Sequence, residues 1–352
     1  MEVKNLFKIA AEKEASDIHM IVGQEPILRI DGELFNVNDV FPDGHFPVLN
    51  TVEMENVMDV ILTKEQKRRF MDKRDLDLAY QVEEYRYRVN FSFEKNNVCL
   101  AARIIKEQEP TLEELGLPPV VEKMLNLQQG LILVTGPTGC GKSTTLAAMI
   151  NHINANTSVN IITLEDPIEY IFKPKMSIIS QRQLGSDMIS FSSGLKHALR
   201  QDPNVIMIGE MRDLETISTA ITLAETGHLV LATLHTYSAA QTVDRIIDIF
   251  PPYQQNQIKS QLSFVLSAII SQRLLNKVGG GRVAAREILL NNSAIANLIR
   301  EGKVAQIKSV IETGGASGMI TMDKHVKQLY KDNLITKEVA MGQLGDPGLL
   351  GD

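Results

Sequence analysis

The chain has 352 residues, 44% of them hydrophobic and 22% charged, and a formal net charge of −7. A chain of this length needs more than one ordinary core, so we expect two domains. It contains no run of about 18 apolar residues, which excludes a membrane-spanning helix. Its amphipathic, acid-containing N-terminus lacks the apolar centre of a signal peptide, and we therefore expect a cytoplasmic protein.

The acidic balance also bears on partners and metals. Nucleic-acid-binding proteins normally carry a basic stripe with stacking aromatics, whereas aromatics make up only 5% of this chain, so we expect no nucleic-acid partner. Cys99 and Cys140 are far apart and form no CxxC pair. We therefore expect two free thiols and no zinc site.

Alternating polar and apolar residues dominate the first hundred positions. The pattern predicts a helix at 3–15 and a second helix at 52–71. Between them it predicts two short strands, at 17–22 and 26–34, with a turn at Asp31-Gly32. Residues 76–105 alternate for most of their length and predict an antiparallel hairpin with its turn at Asn96-Asn97. We assign residues 1–108 to an α+β domain.

A proline-containing, charged stretch at residues 109–119 predicts a linker. Beyond it, short apolar runs typical of parallel strands buried on both faces alternate with helical patterns. The runs are 131–134, 160–164, 205–209 and 228–234, and the helices are 142–154, 190–200, 213–225 and 238–248. This alternation predicts a doubly wound α/β domain over residues 120–352. From about residue 254 the pattern is mostly helical, with possible strands at 271–276 and 283–290, and a helical C-terminal region begins near 292.

Residues 136–143 read GPTGCGKS and match the phosphate-binding P-loop pattern G-x-x-x-x-G-K-[ST], with a predicted strand before and a predicted helix after. Glycines let backbone N–H groups surround a phosphate, and the helix N-terminus adds a positive dipole end. Lys142 would contact the β/γ oxygens, and the Ser143 hydroxyl can ligate Mg²⁺. We predict an ATP site formed by Gly136, Pro137, Thr138, Gly139, Cys140, Gly141, Lys142, Ser143 and Thr144.

Cys140 occupies a P-loop position that makes no chemical demand on its side chain, so a small filler is one interpretation. A thiol near a helix N-terminus can have a lowered pKa. We therefore also expect partial inactivation by an alkylating reagent, with protection by ATP.

Hydrolysis needs a carboxylate for the metal's water shell and a group that orients the attacking water. In P-loop folds both lie at the carboxyl ends of strands near the loop. Glu210 follows an unbroken apolar run and is the Walker-B candidate, with capping of the next helix as the alternative. In the cluster Glu165-Asp166-Pro167-Ile168-Glu169, one acid is expected to orient water. Spacing alone does not choose between Glu165 and Glu169.

His228 and His235 bracket the strand at 228–234. Their seven-residue separation cannot place both on one strand face, which argues against a shared metal site. His235, at the carboxyl end, is expected to sense the γ-phosphate. A histidine whose ring is satisfied by the backbone is the alternative.

Together these segments resemble the ATPases of the type II/type IV secretion family, and among them the type IV pilus retraction (twitching motility, PilT-type) ATPases. The matching stretches include ASDIHM, YRYRVNFSF, GPTGCGKSTT, ITLEDPIEY, DPNVIMIGEMRDLETI, AETGHLVLATLHT, DRIIDIFP, AIANLIREGKVAQIKSVIETGG and GMITMDKHV. They cover nearly the whole chain in uninterrupted order. The resemblance implies a homohexameric motor with a RecA-like P-loop core, an N-terminal PAS-like α+β domain and a helical C-terminal subdomain.

The same resemblance implies roles for individual residues. It makes Glu169 the general base, Glu210 the Mg²⁺-water carboxylate, and His228 and His235 the His-box pair. It also makes Arg88 and Arg103 arginines that reach the phosphates. From the residues alone, both arginines read as solvated side chains on neighbouring strands of one hairpin, a spacing compatible with one cleft.

The implied activity is ATP hydrolysis that drives pilus retraction by pilin disassembly, with an inner-membrane platform protein as partner and a peripheral location at the pilus base. Assembly-type relatives carry a four-cysteine zinc insertion and a longer N-terminal region. This chain, with two cysteines, does not match that pattern, so the resemblance favours retraction. The family usually has Ser where this chain has Cys140. It also usually has AIRNLIRE where Ala296 and Asn297 here give AIANLIRE, and this second difference bears on the coupling of ATP hydrolysis to retraction. An accessory subunit with weak activity and a RecA-like nucleic-acid motor are the alternatives.

Overall fold

The computed structural model describes residues 3–30, 32–42, 44–105 and 109–344. The chain divides into two compact units, one formed by Met1–Gln108 with Pro167–Ile171 and the other by Glu109–Asp166 with Phe172–Asp352. Each unit has its own sheet and its own hydrophobic core. The predicted Asp31-Gly32 turn and the predicted domain boundary at residue 108 involve positions outside the described residues.

The first unit combines helices with one antiparallel sheet. Its elements are α1 (Val3–Glu12), β1 (Asp17–Met20), β2 (Ile27–Ile30), β3 (Glu33–Asn36), α2 (Val37–Val40), α3 (Thr51–Ile61), α4 (Lys64–Lys73), β4 (Asp75–Val82), β5 (Tyr85–Glu94) and β6 (Asn97–Ile105). The six strands lie in the order β3-β2-β1-β6-β5-β4, and every neighbouring pair is antiparallel. This confirms the predicted antiparallel α+β arrangement.

The single helix predicted over residues 52–71 is wrong, because the structure has two helices there. α3 ends at Ile61, and Thr63 caps α4 with extended backbone angles of φ −66° and ψ 161°. The Thr63 hydroxyl accepts from the Gln66 backbone N–H, while the Gln66 side chain accepts from the Thr63 N–H. This reciprocal capping box stabilises a new helix start and interrupts the helix that periodicity alone had predicted.

The hairpin turn between β5 and β6 lies one residue earlier than predicted. Lys95 and Asn96 have φ angles of 49° and 64°, and Asn97 is already the first residue of β6. Positive φ at both central residues is the type I′ geometry that matches the twist of the flanking strands. Asn tolerates this conformation better than most residues, which explains why the prediction found the turn but misjudged its register.

The core of the first unit lies on one face of its sheet. Tyr87, Val89 and Phe91 alternate inward along β5 and are fully buried. The Tyr87 hydroxyl donates to the Phe7 carbonyl over 2.6 Å, so that its polar end is satisfied inside the core. Strict alternation sends the intervening side chains, Arg88 among them, to the opposite face.

The second unit contains the larger sheet. Its strands are β7 (Gly130–Thr135), β8 (Asn160–Glu165), β9 (Ile178–Gln183), β10 (Val205–Ile208), β11 (Leu229–Leu234), β12 (Leu266–Asn276) and β13 (Arg282–Leu290). Its helices are α5 (Val120–Leu125), α6 (Lys142–Asn156), α7 (Phe191–Ala198), α8 (Leu214–Glu225), α9 (Ala239–Asp248), α10 (Pro252–Val265), α11 (Ser293–Glu301), α12 (Ile307–Thr313), α13 (Met322–Lys331) and α14 (Lys337–Met341). None of the helices in the described part of the chain is long and apolar enough to cross a membrane.

The larger sheet has the order β13-β12-β7-β11-β10-β8-β9, parallel throughout except for β13. Every residue of β7, β10 and β11 is buried, as expected for parallel strands covered on both faces. The four predicted strands and the four helices that follow them are confirmed. The strand β9 was not predicted, because this edge strand is partly exposed and carries no apolar run.

Residues 109–119, predicted as a linker, belong to the second unit and pack onto its other elements. Leu112 is buried, and the Arg286 guanidinium donates to the carbonyls of Leu115 and Gly116 over 2.7 and 3.1 Å. Burial lowers the pKa of Arg286 to about 10. These contacts come from β13, more than 160 residues away, so local composition did not indicate them.

Candidate functional site

The P-loop (residues 136–143) connects the carboxyl end of β7 to the first turn of α6. Gly136 has a φ of 146°, and a Cβ there would collide with the Gln272 carbonyl oxygen and lie 2.6 Å from Cys140 Sγ. Gly141, with φ of 88°, is the N-cap of α6. These conformations and close approaches require glycine, so the loop follows the path that the motif predicts.

Lys142 points its ammonium group back across the mouth of the P-loop. Its Nζ donates to the carbonyls of Gly136 and Pro137 over 2.9 and 3.1 Å, and the residue is 9% exposed. His235 Nδ1 lies 3.4 Å from the same Nζ. The positive charge is therefore held where the phosphates of a nucleotide bound by the loop would lie.

Glu210 and His235 follow β10 and β11, and the sheet order puts β11 between β10 and the P-loop strand β7. Because parallel strands end at one edge, both side chains reach the loop. His235 Nε2 lies 3.6 Å from Glu210 Oε2, and Arg212 Nη2 lies 2.7 Å from Glu210 Oε1. The structure thus brings together the predicted Lys142, His235 and Glu210 in one continuous row.

The geometry excludes the alternative role of Glu210 as a helix cap. The N-cap of α8 is Asp213, whose carboxylate accepts from the backbone N–H of Thr216 over 2.8 Å. The carbonyl of Gly209 accepts from the Thr233 hydroxyl over 2.5 Å, which fixes the turn before Glu210. The Glu210 side chain therefore does not cap the helix, and it is 15% exposed.

Glu165 and Glu169, which spacing left as equal candidates, lie in different surroundings. Glu165 is 7% exposed, and its Oε1 accepts from the Thr163 hydroxyl over 2.6 Å and from Gln181 Nε2 over 3.1 Å. Glu169 is half-buried and belongs to Pro167–Ile171, the short stretch that groups with the first unit. Glu165 is thus bonded into the larger sheet, whereas Glu169 is not part of that unit.

His228 lies at the opposite end of β11 from His235. Its carbonyl accepts from the N–H of Gly130, the first residue of β7, so it stands at the edge of the sheet away from the P-loop. Its Nδ1 lies 3.0 Å from the Leu223 carbonyl. The structure therefore does not bring His228 to the site, and its ring contacts the backbone.

The expectation of an activated Cys140 is wrong. Cys140 is 3% exposed, and burial raises the pKa of its thiol despite the nearby Lys142. The side chain packs beneath the P-loop against Gly136. Both cysteines are free thiols, as predicted.

Sequence reasoning missed Gln272, which is 1% exposed on β12 beside the P-loop. The signal was present, because Ser271-Gln272-Arg273 interrupts a strand whose other residues are mostly apolar. A buried polar side chain must find partners, so such a run marks a place where the strand contacts something polar.

A cavity of about 500 Å³ opens beside the tip of the P-loop. Thr138 and Gly139 form one wall, and Tyr237, Arg273 and Arg282 contribute to the others. Arg273 and Arg282 come from β12 and β13, on the opposite side of β7 from Glu210.

Arg88 and Arg103 belong to the first unit and lie on neighbouring strands, as predicted. Arg103 Nε donates to Asp17 Oδ1 over 2.8 Å, and Arg88 Nε lies 3.7 Å from Asp77 Oδ1. The Arg88 side chain is 45% exposed and the Arg103 side chain 72%. Each guanidinium is therefore held by one carboxylate while much of its surface stays accessible.

Comparisons with known proteins identify the family of the chain. The sequence model of the family described as Type II/IV secretion system protein matches residues 2–340. The chain is 43% identical over 341 residues to the type IV pilus retractation ATPase PilT of Pseudomonas aeruginosa, covering 97% of each. It is 44% identical over 317 residues to a twitching motility protein of Neisseria gonorrhoeae, covering 90% of this chain and 83% of that one. A crystal structure of the pilus retraction motor PilT with bound ADP is similar with a TM-score of 0.92 and 44% identity over 99% of both chains.

Proposed function

Because the chain belongs to the type II/IV secretion system protein family, we propose that it is an ATPase whose Mg²⁺-dependent hydrolysis of ATP drives type IV pilus retraction. The observation that carries the enzymatic part is the row Lys142–His235–Glu210 at the mouth of the P-loop. Retraction and twitching motility come from the names of the relatives.

In the proposed reaction the P-loop backbone N–H groups and Lys142 hold the β- and γ-phosphates. The exposed hydroxyl of Ser143, in the first turn of α6, and the Glu210 carboxylate suit a Mg²⁺ ion, since this ion keeps several waters and uses few protein ligands. When bound, Mg²⁺ would neutralise charge on the phosphoryl oxygens. Thr144 follows in the same helical turn and completes the proposed phosphate-binding set.

His235 lies between Lys142 and Glu210, with one ring nitrogen toward each. Its Nδ1 faces Lys142 Nζ, an ammonium group that can only donate, and its Nε2 faces the Glu210 carboxylate, which can only accept. We propose that His235 links the phosphate-binding lysine to the metal-water carboxylate, so that movement of Lys142 onto a γ-phosphate is transmitted to Glu210.

Glu169 is the proposed general base, and Arg88 and Arg103 are proposed to stabilise charge on the transferring phosphoryl group. One observation supports Glu169 over its rival Glu165. Glu165 Oε1 already accepts two hydrogen bonds, which makes it a poor base. His228 contacts the Leu223 carbonyl, so we propose for it a structural role at the end of α8.

We further propose a RecA-like core, a PAS-like N-terminal domain and a homohexameric ring acting in the cytoplasm at the pilus base with an inner-membrane platform protein. The test is Mg²⁺-ATP turnover by the purified chain, together with twitching of cells that lack it. Phosphate release plus loss of retraction on deletion is the expected result. No turnover would overturn the enzymatic proposal, and turnover without any piliation phenotype would overturn the motor.

A further inference from the structure

Gln272, a buried side chain on β12, contacts the P-loop at both ends. Its Nε2 donates to the Cys140 carbonyl over 2.8 Å, and its Oε1 accepts from the Thr145 hydroxyl over 3.0 Å. Its own carbonyl oxygen lies so close to Gly136 that no Cβ would fit there. Gln272 therefore contacts the loop near its start, at Gly136, and near its end, at Cys140. It also contacts Thr145 in the first turn of α6.

The bond to Cys140 matters because of peptide geometry. The Cys140 carbonyl and the Gly141 N–H belong to one planar trans peptide unit, so they point in opposite directions. A donor that holds the carbonyl on the β12 side aims the N–H away from β12, into the loop. Gly141, with φ of 88°, lacks the steric barrier that would otherwise restrain this peptide.

Gln272 suits this position chemically. Its planar amide offers a donor to the carbonyl and an acceptor to the hydroxyl at the same time. Thr145 is 2% exposed, so neither partner has ready access to water as a substitute. Loss of the amide would leave a buried carbonyl and a buried hydroxyl unsatisfied.

We propose that Gln272 is a positioning residue for nucleotide binding, which acts by holding the Cys140–Gly141 peptide so that its N–H faces the β-phosphate. This inference rests on the proposed function, since it assumes that the P-loop binds a nucleotide. It assigns to β12 a direct part in phosphate recognition, through a side chain that touches no ligand itself.

The first test is Gln272→Leu, which removes both hydrogen bonds at similar volume. Because the peptide N–H contributes to ground and transition state alike, the KM for ATP and the Kd for ADP should rise about tenfold, with a smaller change in kcat. Thr145→Val removes one bond only, and the Kd should rise about threefold. If Gln272→Leu does not fold, Thr145→Val decides by itself.

Gln272→Glu gives a readout that a merely structural role would not move. The ionised carboxylate can accept from Thr145 but cannot donate to the Cys140 carbonyl, whereas the protonated acid can do both. ADP affinity of this variant should therefore recover as the pH is lowered, relative to the same titration of the wild type. A pH profile parallel to that of the wild type would overturn the proposal.

Ser271→Ala is the matched control. Ser271 is fully buried on the same strand and its Oγ lies 2.8 Å from Thr135 Oγ1, so this change removes a buried hydrogen bond between β12 and β7 but leaves Gln272 and its two bonds in place. Its thermal stability should fall while its ADP Kd stays within twofold of wild type. Equal Kd changes in Ser271→Ala and Gln272→Leu, or a wild-type Kd in folded Gln272→Leu, would overturn the inference. A wild-type chain that does not bind ADP would instead overturn the proposed function.

Discussion

Arg88 on β5 and Arg103 on β6 lie directly opposite each other, so both side chains leave the sheet on the same face. Opposed like charges destabilise a sheet, and here Asp77 and Asp17 offset the repulsion from either side. Asp17 is itself paired in register with Arg103 and with Arg29. The arrangement holds two cations side by side, as recognition of a polyanion would require.

Replacing either arginine should therefore slow hydrolysis. In Arg88→Ala or Arg103→Ala, kcat should fall about 100-fold or more if the guanidinium stabilises the transferring phosphoryl group. Formation of the proposed ring, measured by light scattering, should persist, because each guanidinium is paired with a carboxylate of its own unit. Arg29→Ala is the control on the same face, since Arg29 Nη1 donates to the Gly32 carbonyl. Unchanged kcat in both variants, or loss of assembly, would contradict the assignment.

Lys142→Ala and Glu210→Ala should separate binding from chemistry. The first removes the charge at the loop mouth, so ADP binding measured by calorimetry should be lost or greatly weakened. The second leaves the loop intact, so ADP should bind while phosphate release falls by about 10²–10³. Wild-type turnover in Glu210→Ala would show that the metal carboxylate lies elsewhere.

Cys140 should resist alkylation in the folded protein. Burial raises the pKa of its thiol, so at neutral pH almost none is thiolate, and the thiolate fraction increases only as the pH rises. Cys99, which is half-buried, is the internal control and should be labelled by N-ethylmaleimide first. Mass spectrometry after labelling with and without denaturant checks this. Equal labelling of Cys140 in both conditions would contradict its burial.

His325 should make stability fall in mild acid. Burial lowers the pKa of His325, and its Nδ1 accepts from the Arg286 N–H over 2.8 Å, which a protonated ring cannot do. The unfolded chain, with the ordinary pKa of 6.5, therefore binds this proton first. The contribution of neutral His325 to the free energy of unfolding is complete above pH 6.5 and is lost as the pH falls through the lowered pKa of the folded state.

The measurement is the free energy of unfolding between pH 7 and 5. His325→Gln keeps an acceptor for Arg286 but cannot titrate. The slope of its unfolding free energy against pH should therefore be smaller than that of the wild type by up to about 1.4 kcal/mol per pH unit. Identical slopes in the wild type and the variant would contradict the prediction.

Several features of the larger sheet could be predicted because their causes are local. The apolar runs at β7, β10 and β11 report burial on both faces, and the P-loop glycines report backbone angles. The break between α3 and α4 was missed although its signal is local, since the capping box at Thr63 lies inside a strong helical periodicity. The edge strand β9 was missed because half-exposed strands lack a distinctive pattern.

The position of the phosphate-binding turn and the acids and histidines that end the neighbouring strands could be read from the amino-acid sequence, because backbone conformation and strand burial depend on residues a few positions apart. The folded chain was needed to show that His235 and not His228 reaches Lys142, that Cys140 is buried, and that Gln272 contacts the loop. Those outcomes depend on strand order and register, which arise from packing between distant segments: Lys142 and His235 are 93 residues apart, and Cys140 and Gln272 are 132 apart.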